Sequence, residues 1–192
     1  MEQNIIISPS SEVELDEAVR NLDVFRDTPI RLLGYANEVG EAFRSVVRVR
    51  WVHLSYLVAS SYVVADTFDK SSKCYKKYKA FHPDQRRNKV TTSAIDTLIW
   101  QSFASVIIPG FTINRLCALS ALVLRKQASS WLPGPVRRWT TTVVGLVAIP
   151  FIVKPIDWGV DYMMDRTCRP YYMPPDHRHD PEVTEHHRAY ID

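Results

Sequence analysis

The sequence contains few cysteines and none of the short motifs that mark common enzyme sites. Cys74, Cys117 and Cys168 stand far apart with no CxxC spacing, so neither a disulfide framework nor a structural zinc site is predicted. Nucleophile elbows, phosphate-binding loops, dinucleotide fingerprints and HExxH motifs are all missing. We therefore expect a protein that is not an enzyme and that has no metal site, no organic cofactor and no small-molecule substrate.

Charge of one sign is nowhere concentrated enough to indicate nucleic-acid binding. The formal net charge is only +3 on 192 residues, whereas nucleic-acid-binding proteins carry strongly basic faces. Basic residues are absent before Arg20, which fits neither a secretory signal nor an Arg-rich transit peptide. We expect no nucleic-acid partner, and we expect any organelle-targeting signal to be internal.

Long apolar runs are scarce, and only residues 97–114 reach the eighteen uncharged residues expected of a membrane span. Residues 51–65 are also uncharged, but they cover only about 22 Å at ~1.5 Å per residue, short of the ~30 Å hydrocarbon core. A third apolar region covers residues 139–153. With flanking charged side chains that reach the lipid surface, the sequence predicts three membrane-spanning helices, at about 47–66, 95–114 and 139–156.

A Pro-Gly pair, Pro109–Gly110, lies inside the second of these regions. Proline removes one helical hydrogen bond and clashes with the preceding turn, a defect that membrane helices tolerate where neighbouring groups satisfy the freed carbonyls. We therefore predict a kink or break at this point. Residues 111–124 then either complete a bent helix or form a separate short helix.

Residues 31–47 precede the first predicted span and have the periodicity of an amphipathic helix. The apolar positions fall on one stripe at steps of three and four residues: Leu32, Ala36, Val39, Phe43 and Val46. An amphipathic helix that leads into an apolar one is typical of an element lying in the membrane interface ahead of a span.

The remaining segments are predicted to lie outside the membrane. Residues 1–28 form a polar, acidic arm, and residues 167–192 form an extended arm rich in His and Pro. Between the spans, residues 70–89 form a loop with eight basic residues against one acidic residue, and residues 125–138 form a proline-rich loop. The predicted fold is thus a small all-α, multi-span membrane protein, with a helical membrane domain at 29–166 between extended termini.

Asp96 lies at the edge of the longest apolar run, which allows two interpretations. An ionisable group at membrane depth marks a functional site by default. Alternatively, Asp96 lies near the start of a helix, where a carboxylate complements the helix dipole and residues 91–93 supply caps. We favour the second interpretation, while keeping Asp96 as a candidate intramembrane polar residue.

Basic residues flank every apolar region, and four arginines beside the predicted spans are candidate ligands for anionic lipid headgroups: Arg48, Arg50, Arg137 and Arg138. Basic pockets at helix ends suit cardiolipin, so a structural phospholipid is the one bound molecule that we expect. Plain snorkelling of these side chains to the membrane surface is the alternative. Because the basic residues balance between the two sides, the positive-inside rule leaves the orientation undecided.

The C-terminal arm has the composition of a protein-binding segment. It is too polar to bury itself, and four of its residues are of the types that anchor interfaces: Tyr171, Tyr172, Met173 and Tyr190. The arm also contains four histidines: His177, His179, His186 and His187. Because no carboxylate or thiol stands at a spacing that fixes a metal geometry, we expect these imidazoles to be solvated.

Four blocks of the sequence are distinctive: GYANEVGEAFR at 34–44, LSYLVASSYVVAD at 54–66, IDTLIWQSFASVIIPGFTINR at 95–115 and RRWTTTVVGLVAIPFIVKPID at 137–157. Together they resemble the mitochondrial fission process protein family, small integral proteins of the inner mitochondrial membrane. The resemblance covers about residues 31–166. It implies a role without catalysis in supporting mitochondrial fission, inner-membrane organisation and membrane energetics.

Two other functions remain open on the sequence alone. A supernumerary structural subunit of an oxidative-phosphorylation complex, either a respiratory complex or ATP synthase, would use the arms to bind other inner-membrane proteins. A solute carrier would need an aqueous path lined by polar groups, and apart from Asp96 the predicted spans supply few of them.

Overall fold

The computed structural model describes residues 29–127 and 132–172, and it divides the chain into two compact units, one ending at Leu32 and the other beginning at Leu33. The first unit is described only for residues 29–32, which begin a 3₁₀ helix. Regular structure in the described part of the chain is helical throughout, so the all-α prediction is confirmed there. The predicted arm 1–28, and residues 173–192 of the predicted C-terminal arm, lie outside the described residues.

Five α-helices follow one another in the described residues. A short helix, α1 (Ala36–Ala42), lies between 3₁₀ segments at Pro29–Tyr35 and Phe43–Ser45. Three long helices and one final turn complete the fold: α2 (Val49–Lys77), α3 (Pro83–Gln127), α4 (Gly134–Arg166) and α5 (Arg169–Tyr172). Because the connections between the long helices are short, α2, α3 and α4 run antiparallel in turn.

Both predicted loops are shorter in the structure. Helix α2 continues to Lys77 and α3 begins at Pro83, so most of the predicted basic loop 70–89 is helical. Lysines in the last turn of α2 complement the helix dipole, and a proline is well tolerated in the first turn of a helix. Likewise, α3 ends at Gln127 and α4 begins at Gly134, inside the predicted loop 125–138.

Helix α3 continues through Pro109–Gly110 without the break that was one of the two predicted outcomes. Residues Ser102–Ile107 form a π-helical turn just before the proline, one of the ways in which a helix absorbs a local irregularity. The Asn37 side chain of α1 donates a hydrogen bond of 3.0 Å to the carbonyl oxygen of Val106 within this turn. A neighbouring polar group thus satisfies the disturbed backbone, and residues 111–124 belong to the same helix.

Two helices in the described chain, α3 and α4, are long and apolar enough to cross a membrane. In each, 17 % of the most apolar stretch is buried inside the protein, whereas a core helix of a water-soluble protein is buried for most of its length. The predicted first span, 47–66, lies in α2, which is less apolar because its 29 residues include many charged and polar side chains. The structure therefore has two candidate spans where the sequence predicted three.

Helix α1 is amphipathic, and its polar side faces the bundle. Its buried residues are mainly polar: Asn37, Glu38 and Glu41 have exposures of 0 %, 0 % and 2 %. Three residues of the predicted apolar stripe are exposed instead: Leu32, Val39 and Val46. Helix α1 packs against α2, α3 and α4. A Cβ added at Gly40 would collide with the side chain of Ser55, so the absence of a side chain at Gly40 is what allows α1 to lie close to α2. The short helix therefore carries its polar side into the bundle.

Apolar packing between the helices is confined to small clusters. One joins α3 to α4 through Trp100, Ala104, Val160 and Met164. Another joins α1 to α3 through Ala42, Ile113 and Cys117. Gly145 of α4 lies beside this second cluster, since a Cβ there would be 2.7 Å from the Cys117 sulfur and 2.9 Å from the Ala42 Cβ. The missing side chain at Gly145 is what lets α4 approach α1 and α3.

Replacing Gly145 by alanine should destabilise the bundle, because the added methyl group has no room between the three helices. We expect the free energy of unfolding to fall by about 1–3 kcal/mol, measured by the loss of helical circular dichroism on heating in detergent. Gly159→Ala is the matched control in the same helix. Nothing lies within 4 Å of its added Cβ, so it should leave the melting temperature unchanged or raise it. Equal destabilisation by both changes would contradict this packing.

Candidate functional site

Polar and charged side chains fill much of the interior of the second unit. Among the described residues, buried polar or charged side chains are as numerous as buried apolar ones. Large apolar side chains are found on the outside instead, with Phe68, Phe151 and Trp158 each more than two-thirds exposed. Burying a charge is costly unless the charge is paired and hydrogen-bonded. The buried polar interior is therefore the candidate functional site, and the partners of its charged groups define it.

Glu41 joins α1 to α2 and α3. Its carboxylate accepts hydrogen bonds from Arg44 Nε and Nη2 at 2.7 and 2.6 Å, from the Tyr56 hydroxyl at 3.0 Å and from Asn114 Nδ2 at 2.7 Å. Burial by itself would raise the pKa of Glu41, but these donors outweigh burial and hold the pKa below its ordinary value. Glu41 is therefore charged at neutral pH, and it ties three helices together.

Glu38 lies one turn earlier on α1 and is in the opposite situation. Neither of its carboxyl oxygens accepts a hydrogen bond from another residue in the described part of the chain. Burial, with a smaller contribution from the like charge of Asp157, raises the pKa of Glu38 to about 8. Glu38 accordingly holds a proton at neutral pH, because a buried carboxyl group without a cationic partner is more stable when neutral.

Asp66 connects α2 to α3 farther along the bundle. Its side chain is fully buried, and its Oδ2 atom accepts hydrogen bonds from Gln101 Nε2 at 2.6 Å and from Lys70 Nζ at 2.9 Å. Ser105 in turn donates to Gln101 Oε1 at 2.5 Å. A short chain of hydrogen bonds thus links a lysine near the end of α2 to the π-helical turn of α3.

A buried arginine anchors the C-terminal turn α5. Arg169 forms a bidentate ion pair with Asp96 of α3, in which the Nε–Oδ1 distance is 2.9 Å and the Nη2–Oδ2 distance is 3.2 Å. Its Nη1 atom lies 3.1 Å from Asp161 and 2.8 Å from Asp165 at the end of α4. Tyr172 donates its hydroxyl hydrogen to Asp96 at 2.8 Å. Burial alone would lower the pKa of Arg169, but the aspartates raise it, and the guanidinium group stays charged.

Asp96 is not at the start of a helix, so the interpretation that we favoured from the sequence is wrong. Helix α3 begins at Pro83, more than three turns before Asp96, and the helix dipole acts only within the first turn. Residues 91–93 are likewise inside the helix. The structure places Asp96 in the bundle at 7 % exposure, where Arg169 compensates its charge.

The four candidate lipid-binding arginines lie at one end of the bundle, with Arg48 and Arg50 at the start of α2 and Arg137 and Arg138 near the start of α4. The segment before α2 brings the two pairs together. Ser45 donates a hydrogen bond of 3.2 Å to the backbone oxygen of Arg138, and the ring of Phe43 meets that of Trp139 edge-on at 6.3 Å. Arg48, Arg50 and Arg138 are exposed, and Arg137 is partly exposed.

The candidate partner-binding residues of the C-terminal arm have different surroundings. Tyr171 is 91 % exposed, whereas Tyr172 is directed inward onto Asp96. Residues 169–172 are helical where an extended arm was predicted, because Arg169 and Tyr172 both have partners in the bundle. Met173 and Tyr190, like the four histidines of the arm, lie outside the described residues.

Sequence reasoning missed the inward polar side of α1 and the role of Arg169. A signal for the second was present, because Asp157, Asp161 and Asp165 recur every four residues and so share one helix face. A row of buried carboxylates needs a cation opposite it, and Arg169 follows at the same spacing. In residues 29–127 and 132–172, no group of three or more His, Cys, Asp or Glu could hold a metal ion. The charged groups described above pair with one another or, at Glu38, hold a proton.

Replacing Arg169 by glutamine should destabilise the fold, because Asp96 and Asp161 are then buried without a compensating charge. We expect a loss of about 3–5 kcal/mol in the free energy of unfolding, measured by thermal melting in detergent, and partial recovery when Asp96→Asn is added. Arg166→Gln is the matched control, since that guanidinium lies over the exposed ring of Tyr162 at 5.1 Å. A loss as large in the control would contradict the importance of the buried pair.

The raised pKa of Glu38 predicts a fold that loses stability as the pH rises. The folded-state pKa of about 8 exceeds the ordinary 4.5, so the stabilisation is complete below about pH 4.5 and is lost as the pH rises through 8. The slope is at most about 1.4 kcal/mol per pH unit. Glu38→Gln cannot ionise and should flatten the dependence of the melting temperature on pH.

Glu41→Gln is the control for this effect on the same helix. Because Glu41 is charged and hydrogen-bonded at neutral pH, its replacement should lower the melting temperature there without removing the fall in stability that Glu38 causes as the pH rises toward 8. If the wild-type and Glu38→Gln profiles run parallel between about pH 5 and pH 9, Glu38 does not titrate as proposed.

Comparison of the sequence with known proteins assigns the chain to a family. A family model described as Mitochondrial 18 KDa protein (MTP18) matches residues 19–164. Several relatives are named mitochondrial fission process protein 1, including the following three. The Caenorhabditis elegans protein is 52% identical over 159 residues, which is 83% of this chain and 94% of that protein. The Homo sapiens protein is 53% identical over 151 residues (78% and 88%), and the Danio rerio protein is 47% identical over 163 residues (84% and 95%).

Among solved structures, none matches the chain significantly. The family match takes in α1, α2, α3 and nearly all of α4, and it stops before Arg169. The resemblance of the four sequence blocks is therefore confirmed by a match over most of the chain. The chain belongs to the mitochondrial 18 kDa protein (MTP18) family, together with the relatives named mitochondrial fission process protein 1.

Proposed function

We propose that the protein is a multi-pass protein of the inner mitochondrial membrane that supports mitochondrial fission, inner-membrane organisation and energetics without catalysing a reaction. The observation that carries the proposal is the inverted distribution of polarity, with charged groups such as Glu41 and Asp66 buried and large apolar side chains exposed. Proteins in water bury charged residues only rarely, whereas lipid favours an apolar exterior and internally paired charges. The names of the relatives support the fission part.

Exposed aromatic residues support an apolar band as thick as a membrane. On α4, Trp139 and Trp158 are 53% and 68% exposed, and the helix between them covers about 28 Å, close to the ~30 Å hydrocarbon core. On α2, the exposed Trp51 and Phe68 lie about 25 Å apart by the same rise per residue. Aromatic side chains favour the two membrane interfaces. This spacing supports a crossing by α2 in addition to α3 and α4.

Two exposed basic residues fall inside this band, Arg115 and Lys154. The guanidinium group of Arg115 lies 5.1 Å from the ring centre of Phe111, and long basic side chains can extend to the membrane surface while their stems stay in lipid. Two separate cations of this kind are compatible with a spanning position.

We also propose that the four arginines at one end of the bundle bind anionic headgroups such as those of cardiolipin: Arg48, Arg50, Arg137 and Arg138. Their position supports this role, because they stand beside Trp51 and Trp139, which mark one edge of the apolar band. Guanidinium groups pair well with phosphate, and basic groups at helix ends suit cardiolipin.

A fixed structural subunit of an oxidative-phosphorylation complex is the second candidate, and the exposed Tyr171 favours it. Its ring is 91% exposed next to the anchored Tyr172, a placement suited to binding a partner protein. The two candidates differ in stoichiometry, because a subunit copurifies with its complex at a constant ratio and a fission protein does not. A solute carrier has less support, since most charged groups of the interior are paired with one another.

The chain should stay in the membrane pellet when isolated mitochondria are extracted with alkaline carbonate. This treatment releases proteins held to membranes by charge, whereas the apolar exteriors of α3 and α4 are held by the hydrophobic effect. A soluble matrix protein and a peripheral membrane protein are the controls. Recovery of the chain in the supernatant together with these controls would overturn the proposed membrane location.

A further inference from the structure

The hairpin formed by α2 and α3 projects beyond the end of α4. Arg169, which follows the last residue of α4 by three positions, contacts Asp96 of α3 at 2.9 Å. Residues 83–95 of α3, and the end of α2 packed against them, therefore continue past the end of α4. From Asp96 back to Pro83 the helix rises about 20 Å. We refer to residues 70–89 as the hairpin tip.

The hairpin tip is strongly positive. Lys70 and Lys73 each pair with an aspartate of α2 at 2.9 Å. Six further basic side chains stand against one acidic residue, Asp84: Lys76, Lys77, Lys79, Arg86, Arg87 and Lys89. Of these, Lys76, Lys77, Lys79 and Arg87 are exposed. The surface thus presents several cations with little local acidic charge.

Aromatic residues lie among these cations. Cation–π contacts pair Arg86 with Tyr75 at 4.8 Å, and Lys77 and Lys89 with Tyr78 at 5.7 and 5.4 Å. Phe81, in the turn between the helices, is 51% exposed and packs edge-on against Tyr78. Basic side chains around an exposed phenylalanine are suited to binding an anionic lipid surface. The cations pair with lipid phosphates, and the aromatic ring enters the boundary between headgroups and acyl chains. An acidic protein segment would satisfy only the charges.

We propose that the hairpin tip binds the anionic phospholipid headgroups of a second bilayer, one that faces the membrane in which the chain is embedded. The proposal rests on the proposed membrane location. Between Phe81 and Ile95, both described, α3 exposes no large apolar side chain, so the apolar band ends near Ile95. Pro83 lies about 18 Å beyond Ile95, whereas the headgroup layer adds only about 5–8 Å. The turn at Phe81 and the cations near it, such as Lys79 and Arg87, therefore lie beyond the headgroups of their own membrane.

Nanodiscs of neutral phosphatidylcholine that hold the full chain present both ends of the bundle to solution. We expect these discs to float with phosphatidylcholine vesicles that contain cardiolipin, and not with vesicles of phosphatidylcholine alone. The triple change Lys76→Gln, Lys79→Gln and Arg87→Gln should weaken binding by on the order of 100-fold, since each basic residue contributes about fivefold. Phe81→Ser should weaken it by roughly fivefold at constant charge.

Arg125→Gln with Lys126→Gln is the control, because it removes two exposed charges at the opposite end of α3. The control should bind the cardiolipin vesicles as the wild type does. An equal loss in the control would assign binding to net charge and overturn the proposal, as would wild-type discs that fail to bind. Discs that ignore these vesicles but bind immobilised polyglutamate would indicate an acidic protein partner instead.

Failure of the membrane location would be recognised separately. A chain that elutes apart from the nanodiscs in size-exclusion chromatography would refute the proposed embedding. Flotation of that free chain and of its triple variant with the same vesicles would still test the hairpin tip, because an unchanged affinity in the variant overturns the proposal in either setting.

Discussion

The four hydrogen bonds of Glu41 fix the position of α1 on which the rest of the bundle depends. A carboxylate that is 2 % exposed is stable only with donors around it, and here the donors come from Arg44, from Tyr56 of α2 and from Asn114 of α3. Because Glu41 holds the polar side of α1 inward, Asn37 reaches the π-helical turn of α3. The apolar contact of α1 with α3 and α4 follows from the same placement.

The buried carboxyl groups of the interior avoid the cost of an uncompensated charge in two different ways. Glu41 stays ionised because a guanidinium group, a hydroxyl group and an amide donate hydrogen bonds to it, whereas Glu38 is neutralised by a proton. The first solution ties elements together, since each donor belongs to a different part of the chain. The second leaves a group whose charge depends on pH in the middle of the bundle. Hydrogen-bonded charges at Glu41 and at the Asp96–Arg169 ion pair therefore stabilise the interior, and the stability contributed by Glu38 depends on pH.

The helical character of the chain could be predicted from local pattern, and so could the apolar stretches within α3 and α4. For α1 the same pattern located the apolar stripe but not its surroundings, because periodicity shows which face of a helix is apolar and not whether that face contacts protein or lipid. Its stripe through Val39 is real but faces outward. Family membership was also predictable, because it rests on continuous blocks of sequence.

What could not be predicted depends on contacts between distant residues. The partner of Asp96 is Arg169, which lies 73 positions away. The sequence interpretation explained Asp96 by the helix dipole, whereas the structure stabilises it by an ion pair between distant residues. The same holds for Pro109: the group that supports the neighbouring turn is Asn37, 69 positions from Val106. Local sequence rules identify the helix irregularity at Pro109 and the charge at Asp96. The groups that compensate them, Asn37 and Arg169, are brought near only by folding.

The first and last residues of the second unit's described chain lie at different depths in the bundle. Gly34 lies against Tyr62 and Gly40 against Ser55, so α1 runs opposite to α2 and starts beside the middle of α2. The described chain ends at Tyr172, beside Asp96 and near the edge of the apolar band at Ile95. With the proposed crossings by α2, α3 and α4, the start of α2 and the end of α4 lie on opposite faces of the membrane. A reporter at Tyr172 would therefore mark the face of the hairpin tip, and one at Arg48 would mark the face of the arginine pairs.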